Sequence, residues 1–142
     1  MSKSNALENG ILALLFNGTA ITDLAQNQAS DPAANLYVAL HSSDPGEDGT
    51  QSTNEVSYTS YARAEVARTS GGWTVTGNSV SPAATISFPP CEGGSATATH
   101  FSIGMGSSGA GVILYKGALT PNISISTGVT PQLTTATTIT ED

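Results

Sequence analysis

A glycine-rich segment in the C-terminal half of the chain matches the pattern that binds dinucleotides. Residues 104–109 read GMGSSG and fit GxGxxG. In a dinucleotide site this segment opens a helix whose N-terminus holds the pyrophosphate, and an acidic residue about 20 positions later binds the ribose. Here residues 112–115 predict another strand, and no acidic residue occurs between Glu92 and Glu141. We therefore interpret the segment as a flexible hairpin loop and predict no cofactor.

Three carboxylates lie close together at Asp44, Glu47 and Asp48. Loops rich in oxygen ligands can hold calcium, but this spacing does not match an EF-hand loop. Pro45 followed by Gly46 is typical of a turn. An exposed turn is the preferred interpretation, with a metal site as the alternative, and we predict no metal ligand.

Hydrolytic catalysis requires a nucleophile, a base and an orienting group in contact. His41 ends an apolar stretch and His100 adjoins Phe101, so both histidines are expected to be packed side chains. The GxSxG sequence of a nucleophile elbow does not occur. Cys91 is the only cysteine and is expected to be a small, half-buried loop residue. The sequence therefore predicts no catalytic residue and no enzyme.

The charge balance excludes two classes of partner. Eleven acidic and four basic residues give the 142-residue chain a net charge of −7. Nucleic acids and anionic membranes are both bound by clustered basic residues, and four scattered bases cannot form such a cluster. We predict no nucleic acid and no membrane as partner. Only 11% of residues are charged, against about 25% in typical domains, which suits close packing against another protein.

An amphipathic helix is predicted over residues 5–16. Asn5 as N-cap and Glu8 three residues later fit a capping box, and Asn17-Gly18 supplies a stop. Burying one large apolar side chain contributes about 1.5–3 kcal/mol, so the apolar face must either cover an open end of the β part or dock into a neighbour. This face consists of Leu7, Ile11, Leu14 and Leu15.

Two further features complete the N-terminal region. Residues 19–30 continue as a second helical turn or an irregular arm, which Asp31-Pro32 ends. The apolar stretch over residues 11–16 is too short to span a bilayer, and no signal peptide is recognisable. We expect the protein to be made in a cytosol.

From residue 35 onward the apolar residues alternate with polar ones, which indicates strands. Gly71-Gly72 predicts a hairpin between two of them. Because no helical pattern lies between the strands, we predict a mainly β fold: an antiparallel, jelly-roll-like sandwich over residues 35–142, with a helix and arm over residues 1–34. The predicted strands cover residues 36–40, 61–68, 73–76, 85–88, 99–103, 112–119, 122–126 and 133–140.

Three charged residues lie on one predicted strand. Arg63 and Glu65 share its polar face, and Arg68 ends it. They form either a solvated face, which is preferred, or part of a salt-bridged contact. Together with the apolar face of the helix, Arg63 and Arg68 are the candidate interface residues.

Short stretches spread along the chain resemble, in their order and spacing, a family of small tailed-phage virion proteins. They are residues 35–41 (NLYVALH), 44–46 (DPG), 61–63 (YAR), 72–75 (GWTV), 99–103 (THFSI) and 113–115 (ILY). Members are often described as tail-fibre proteins, and some small β proteins of this kind are capsid cement (decoration) proteins with a jelly-roll-like fold. The resemblance covers at least residues 35–140 and implies a virion protein without catalytic residues.

The resemblance implies a cement protein that binds the outside of a shell and bridges neighbouring major capsid subunits. The acidic charge fits this position, because an acidic protein would not sit against DNA. Many copies on a symmetric shell favour a homo-oligomer, first a dimer, with the N-terminal helix or arm reaching the neighbour. Deleting residues 1–30 is then expected to lower occupancy. The alternatives are a tail or tail-fibre component, and a carbohydrate-binding β domain, which needs an aromatic platform or paired carboxylates.

Overall fold

The computed structural model describes residues 3–28 and 32–141, which form one α-helix and nine β-strands. The fold is mainly β with one short N-terminal helix, as the sequence predicts, whereas the jelly-roll arrangement stays a prediction. No helix in the described ranges is long and apolar enough to cross a membrane. The elements are α1 (Asn5–Asn17), β1 (Asn35–His41), β2 (Ala64–Ala67), β3 (Trp73–Thr76), β4 (Ser79–Pro82), β5 (Ile86–Ser87), β6 (Ser95–Gly104), β7 (Ile113–Ser126), β8 (Gln132–Leu133) and β9 (Ile139–Thr140).

Helix α1 has a different N-cap from the predicted one. Ser4 has an extended backbone, and its Oγ accepts a hydrogen bond from the backbone N–H of Leu7 (3.4 Å). Serine and asparagine are about equally good N-caps, so the sequence does not choose between Ser4 and Asn5, and the assignment of Asn5 is wrong. Gly18 ends the helix in the left-handed conformation (φ 65°), as predicted.

Helix α1 also buries a different face from the predicted one. Leu12 and Phe16 are fully buried, and Glu8 lies on the same side. Because every residue from 11 to 16 is apolar, spacing alone does not select the buried stripe. Packing selects it, since the Phe16 ring meets Trp73 edge-to-face at a centroid distance of 4.9 Å. The predicted face is half-buried: Leu7, Ile11, Leu14 and Leu15.

The chain divides into two compact units, each built from separated segments. The first consists of Met1–Asn35, Ala67–Thr85 and Leu133–Asp142, and the second of Leu36–Val66 and Ile86–Gln132. Both units therefore use residues from distant parts of the sequence.

The first unit combines α1 with an antiparallel sheet of order β3-β4-β9. Asn9 Nδ2 at the helix donates to the carbonyl of Gly77 in the β3–β4 turn (2.9 Å). The described part of the arm forms a turn, in which the Ile21 N–H donates to the Ala25 carbonyl (2.8 Å). The predicted end of the arm at Asp31 lies outside the described residues.

The predicted hairpin across Gly71-Gly72 is wrong. Strand β2 pairs with β1, and β3 pairs with β4 across Gly77 and Asn78. Gly77 supplies the positive φ (60°) that a tight turn requires. Strand β4 was missed because Val80 is its only large aliphatic residue and a proline ends it, so no alternation is visible.

The second unit contains a four-stranded sheet of order β2-β1-β6-β7. Strand β6 runs antiparallel to both β1 and β7. Its core pairs are Val38 opposite Ile103 and Leu40 opposite Phe101, and all four side chains are buried. The short strands β5 and β8 form a separate pair.

Two predicted strand boundaries change in the structure. The strands predicted over residues 112–119 and 122–126 are one continuous strand, β7, because Pro121 lies in an irregular part of an edge strand and interrupts no regular ladder. The strand predicted over residues 133–140 is two short strands. Between them the Thr137 N–H donates to the Thr134 carbonyl and closes a turn. The sequence does not reveal this turn, because the threonines there alternate as they would in a strand.

Candidate functional site

The glycine segment forms the loop at residues 105–112, which joins β6 to β7. A strand follows it instead of a helix, as predicted. The Arg63 guanidinium donates from Nη1 to the Gly106 carbonyl (2.8 Å) and from Nη2 to the Gly109 carbonyl (2.6 Å). The loop is thus a hairpin connection, as predicted, and the Arg63 side chain holds its backbone through these two hydrogen bonds. We call residues 104–112 the braced loop.

Gln51 is the second brace. Its backbone N–H donates to Gly111 O (2.9 Å), and its side-chain Oε1 accepts from Gly106 N (3.0 Å). Its Nε2 donates to the Tyr37 carbonyl in β1 (2.9 Å). Gln51 is fully buried, so one amide ties the loop to the neighbouring strand. No sequence pattern points to Gln51, because it stands in a polar stretch without periodicity.

The glycines of the braced loop are required by close packing. A Cβ atom on Gly104 would lie 2.3 Å from both the Gln51 side chain and the Val112 carbonyl oxygen. A Cβ on Gly106 would lie 2.7 Å from the Cα of Gly111, and one on Gly111 would lie 2.5 Å from Gln51 Oε1. The glycines that resemble a dinucleotide motif therefore make room for Gln51 and for each other.

Arg63 is held by a carboxylate from an adjoining loop. Glu55 Oε1 accepts from Arg63 Nε (2.8 Å) and Glu55 Oε2 accepts from Nη2 (2.8 Å), while the Tyr61 hydroxyl also donates to Oε1 (2.9 Å). The Arg63 side chain is only 2% exposed. The hydrogen bonds to Glu55 raise the pKa of Arg63 further, and burial raises the pKa of Tyr61 above its usual value. The preferred interpretation of Arg63 as part of a solvated face is wrong, since its partner is Glu55 within the chain.

A serine and a histidine are hydrogen-bonded in the same unit. His41 Nδ1 donates to the Thr53 carbonyl (2.8 Å), so Nε2 accepts from the Ser102 hydroxyl (2.8 Å). Such a pair could activate a nucleophile, but both side chains are fully buried and a substrate cannot reach Ser102. Burial lowers the pKa of His41 and keeps the imidazole neutral. The prediction that His41 is a packed side chain is confirmed.

The acidic turn is occupied by a lysine. Lys116 Nζ, in β7, lies 3.0 Å from Asp44 Oδ1 and 3.0 Å from Glu47 Oε1. The Gly46 backbone N–H and Lys116 lower the pKa of Asp44, and the hydrogen bonds to Glu47 and Asp44 raise the pKa of Lys116. The exposed turn is as predicted, and among the described residues no group of three or more potential ligands could hold a metal ion.

Apolar side chains of the braced loop, whose backbone Arg63 and Gln51 hold in place, are exposed to solvent in the second unit. Met105 is 52% exposed and Val112 63% exposed, at the two ends of the braced loop. The backbone N–H of Met105 donates to the Val112 carbonyl (3.2 Å), so the two residues are held as neighbours. Beside them a surface cleft of about 300 Å³ is lined by Gly46, Glu47, Ile113, Leu114, Tyr115 and Lys116.

Arg68, the other arginine predicted at an interface, binds the C-terminal end of α1 in the first unit. Its Nη2 donates to Leu14 O (2.7 Å) and its Nε to Leu15 O (2.6 Å). The last turn of the helix contains no basic residue of its own, so Arg68 supplies the cation that a helix C-terminus favours. Its Nη1 also donates to Asn27 Oδ1 (2.9 Å) and fastens the described part of the arm.

The candidate interface residues are therefore not gathered in one place. Arg63 and Arg68 enter separate networks, in different units. The helix residues Leu7, Ile11, Leu14 and Leu15 remain half-buried. Their role in binding a neighbour stays a prediction.

Comparison with known proteins gives one family. A family model described as "Podophage GP4 fiber I protein gp80" matches residues 2–140, which is nearly the whole chain and includes segments of both units. A search among curated proteins finds no match.

Proposed function

The chain belongs to the Podophage GP4 fiber I protein gp80 family, and from this premise we propose that it is a structural component of a phage fibre. It works by binding neighbouring virion proteins and not by catalysis. The observation that carries the proposal is the family match over residues 2–140. The coarser statement, a phage virion structural protein, agrees with the resemblance seen in the sequence.

The use of polar side chains inside the second unit supports a structural role. The hydrogen bonds of Gln51 and Arg63 hold the braced loop, and Glu55 binds Arg63. The one serine–histidine pair described is closed to solvent. A fixed shape that presents loops is what a binding module needs, because binding residues are typically carried on loops held by a rigid scaffold.

The sequence-based prediction of a capsid cement protein assigns the same kind of structural protein to a different location in the virion. The family description favours the fibre, so we propose a neighbouring fibre or tail protein as the partner instead of the major capsid protein. Neither nucleic acid nor membrane is part of the proposal, since the net charge is −7. The two locations differ in copy number and in position on the particle.

Labelled virions test the proposal. An epitope tag at the C-terminus of the chain, imaged with gold-labelled antibody on purified particles, should place label at the fibre, with few copies per particle by quantitative mass spectrometry. Label spread over the shell, with hundreds of copies, would instead support cement. Particles that carry no label while the cell lysate contains the tagged protein would overturn both locations.

A further inference from the structure

Strand β7 ends the four-stranded sheet in the described part of the chain. It is 14 residues long, and the outer edge of such a strand is a template for pairing with another strand. Proteins protect edges with charges, prolines or bulges. The first eight residues of β7, 113–120, contain no proline and one charged residue, Lys116, whose charge is already balanced by Asp44 and Glu47.

An apolar projection lies next to a cleft at the start of β7. Met105 and Val112 project from the braced loop, and the adjoining cleft of about 300 Å³ is lined by the apolar Ile113 and Leu114 and by the charged Glu47 and Lys116. A contact between two identical copies across a two-fold axis uses the same patch twice, so the patch must contain both complementary halves. The apolar projection of the braced loop and the cleft beside it, which has both apolar and charged lining, meet that requirement.

The charges beside the cleft are self-complementary as well. Glu47 is 90% exposed although it contacts Lys116 Nζ. An exposed carboxylate is free to exchange one lysine for another at little cost, because a surface ion pair contributes only about 0–1 kcal/mol. Across a two-fold axis at β7, Glu47 of each copy can therefore pair with Lys116 of the other.

We propose that this surface binds a second copy of the chain, whose β7 adds antiparallel to the β7 edge. Met105 and Val112 of each copy occupy the cleft of the other, and Glu47 pairs with Lys116 across the axis. Gln51 and Arg63 fix the braced loop before association, which reduces the entropy lost on binding. This inference goes beyond the fibre role and holds wherever in the virion the chain is placed.

Sedimentation equilibrium of the purified full-length protein over a concentration series tests the proposal. The wild-type protein should form a dimer. The double variant Met105→Lys/Val112→Lys should raise the dimer dissociation constant by about thirty-fold or more, because central apolar anchors dominate such contacts. Leu24→Lys is the matched control: Leu24 is 71% exposed and lies in the other unit, so the dimer should persist.

A charge-reversal mixing experiment tests the symmetry. Lys116→Glu alone and Glu47→Lys alone should each be monomeric at concentrations where the wild-type protein is dimeric, since each brings like charges together across the axis. An equal mixture should form a mixed dimer, in which each reversed residue meets an opposite charge. If Glu47 and Lys116 pair only within one chain, mixing the two variants should not restore the dimer.

Three results would overturn the proposal. They are a wild-type protein that stays monomeric, a Met105→Lys/Val112→Lys variant that associates as strongly as wild type while remaining folded by circular dichroism, and a mixture of the charge-reversed variants that stays monomeric. None of them bears on the position of the label in virions, so failure here and failure of the fibre role are distinguishable.

Discussion

The Arg63 guanidinium makes four hydrogen bonds in a nearly water-free environment, two to Glu55 and one each to the carbonyls of Gly106 and Gly109. Removing an ion from water costs several kcal/mol, and only good geometry with further hydrogen bonds offsets that cost. The planar guanidinium meets this demand because it offers a fork of fixed donors. Removing either partner alone would leave a buried charge or a set of buried carbonyls without donors.

We expect Glu55→Gln to lower the free energy of unfolding by about 3–5 kcal/mol, because it leaves the buried Arg63 charge uncompensated. The double variant Glu55→Met/Arg63→Met should cost less than the sum of its single variants, since no charge is then left buried. Urea denaturation measures both. Asp48→Asn, which changes an exposed carboxylate of the acidic turn, is the control and should keep the wild-type midpoint. A wild-type midpoint for Glu55→Gln would contradict the structural role of the pair.

His41 gives the protein a pH dependence whose sign follows from burial. Burial lowers the pKa of His41 in the folded state, so the unfolded chain takes up a proton more readily. Stability is then full above the ordinary histidine pKa of about 6.5 and declines as the pH falls below it, until the folded-state pKa is passed.

The expected result is a smaller loss of unfolding free energy in His41→Gln than in wild type when the pH falls from 7.5 to about 5, a window set by the histidine pKa. Each unit of pKa shift corresponds to about 1.4 kcal/mol. Urea midpoints at a series of pH values measure the two slopes. Above pH 7.5 the two curves should run parallel, even if the variant is less stable throughout. Equal slopes below pH 6.5 would show that His41 is not the titrating group.

At the scale of elements, the braced loop depends on which of its glycines are crowded. Gly104 has no room for a Cβ next to Gln51 and the Val112 backbone. Gly109 has open space around its Cα and needs only its positive φ of 67°. The same substitution at the two sites therefore separates packing from backbone strain.

Gly104→Ala should destabilise the protein by about 3 kcal/mol or more, because a clash with backbone atoms cannot be relieved by rotating a side chain. Gly109→Ala should cost about 1–2 kcal/mol, the strain of a left-handed alanine. Thermal or urea unfolding gives the comparison. If Gly109→Ala were the more damaging variant, the loop would be shaped by its backbone conformation and not by contact with Gln51.

The elements that the sequence predicts well are those whose own residues determine them. Strand β1 is an apolar run, and Gly18 ends α1 through local backbone chemistry. The buried face of α1 could not be predicted, because residues 11–16 are all apolar and the choice depends on Trp73, far along the chain. Most of the site was hidden for the same reason, since Gln51 and Arg63 gain their roles only when the β6–β7 hairpin folds onto them.

At the scale of the whole molecule, composition argues against some classes of partner, but it does not distinguish one location in the virion from another. A net charge of −7 argues against nucleic acid, and this argument serves a shell and a fibre equally well. The description of the matching family names a fibre protein, and this supports the proposed fibre location. The division into residues 1–34 and 35–142 stays a prediction. The first compact unit combines segments from both of these ranges, whereas the second lies within residues 35–142.

The packing of α1 changes the experiment that tests its predicted contact with a neighbour. Deleting residues 1–30 would remove Leu12 and Phe16 from the core of the first unit and take away the ring that packs against Trp73. Lower occupancy after such a deletion could then come from unfolding. The half-buried residues of the predicted face can be changed without emptying the core.

We expect the double variant Leu7→Gln/Ile11→Gln to enter virions in reduced copy number while its unfolding free energy falls by only about 1 kcal/mol, because glutamine is a good helix former and both positions are half-buried. Quantitative mass spectrometry of purified particles measures incorporation. Leu12→Ala, which opens the core and should cost about 2–5 kcal/mol, is the comparison, since its incorporation should follow stability alone. Wild-type incorporation of Leu7→Gln/Ile11→Gln would mean that this face of α1 does not bind a neighbour.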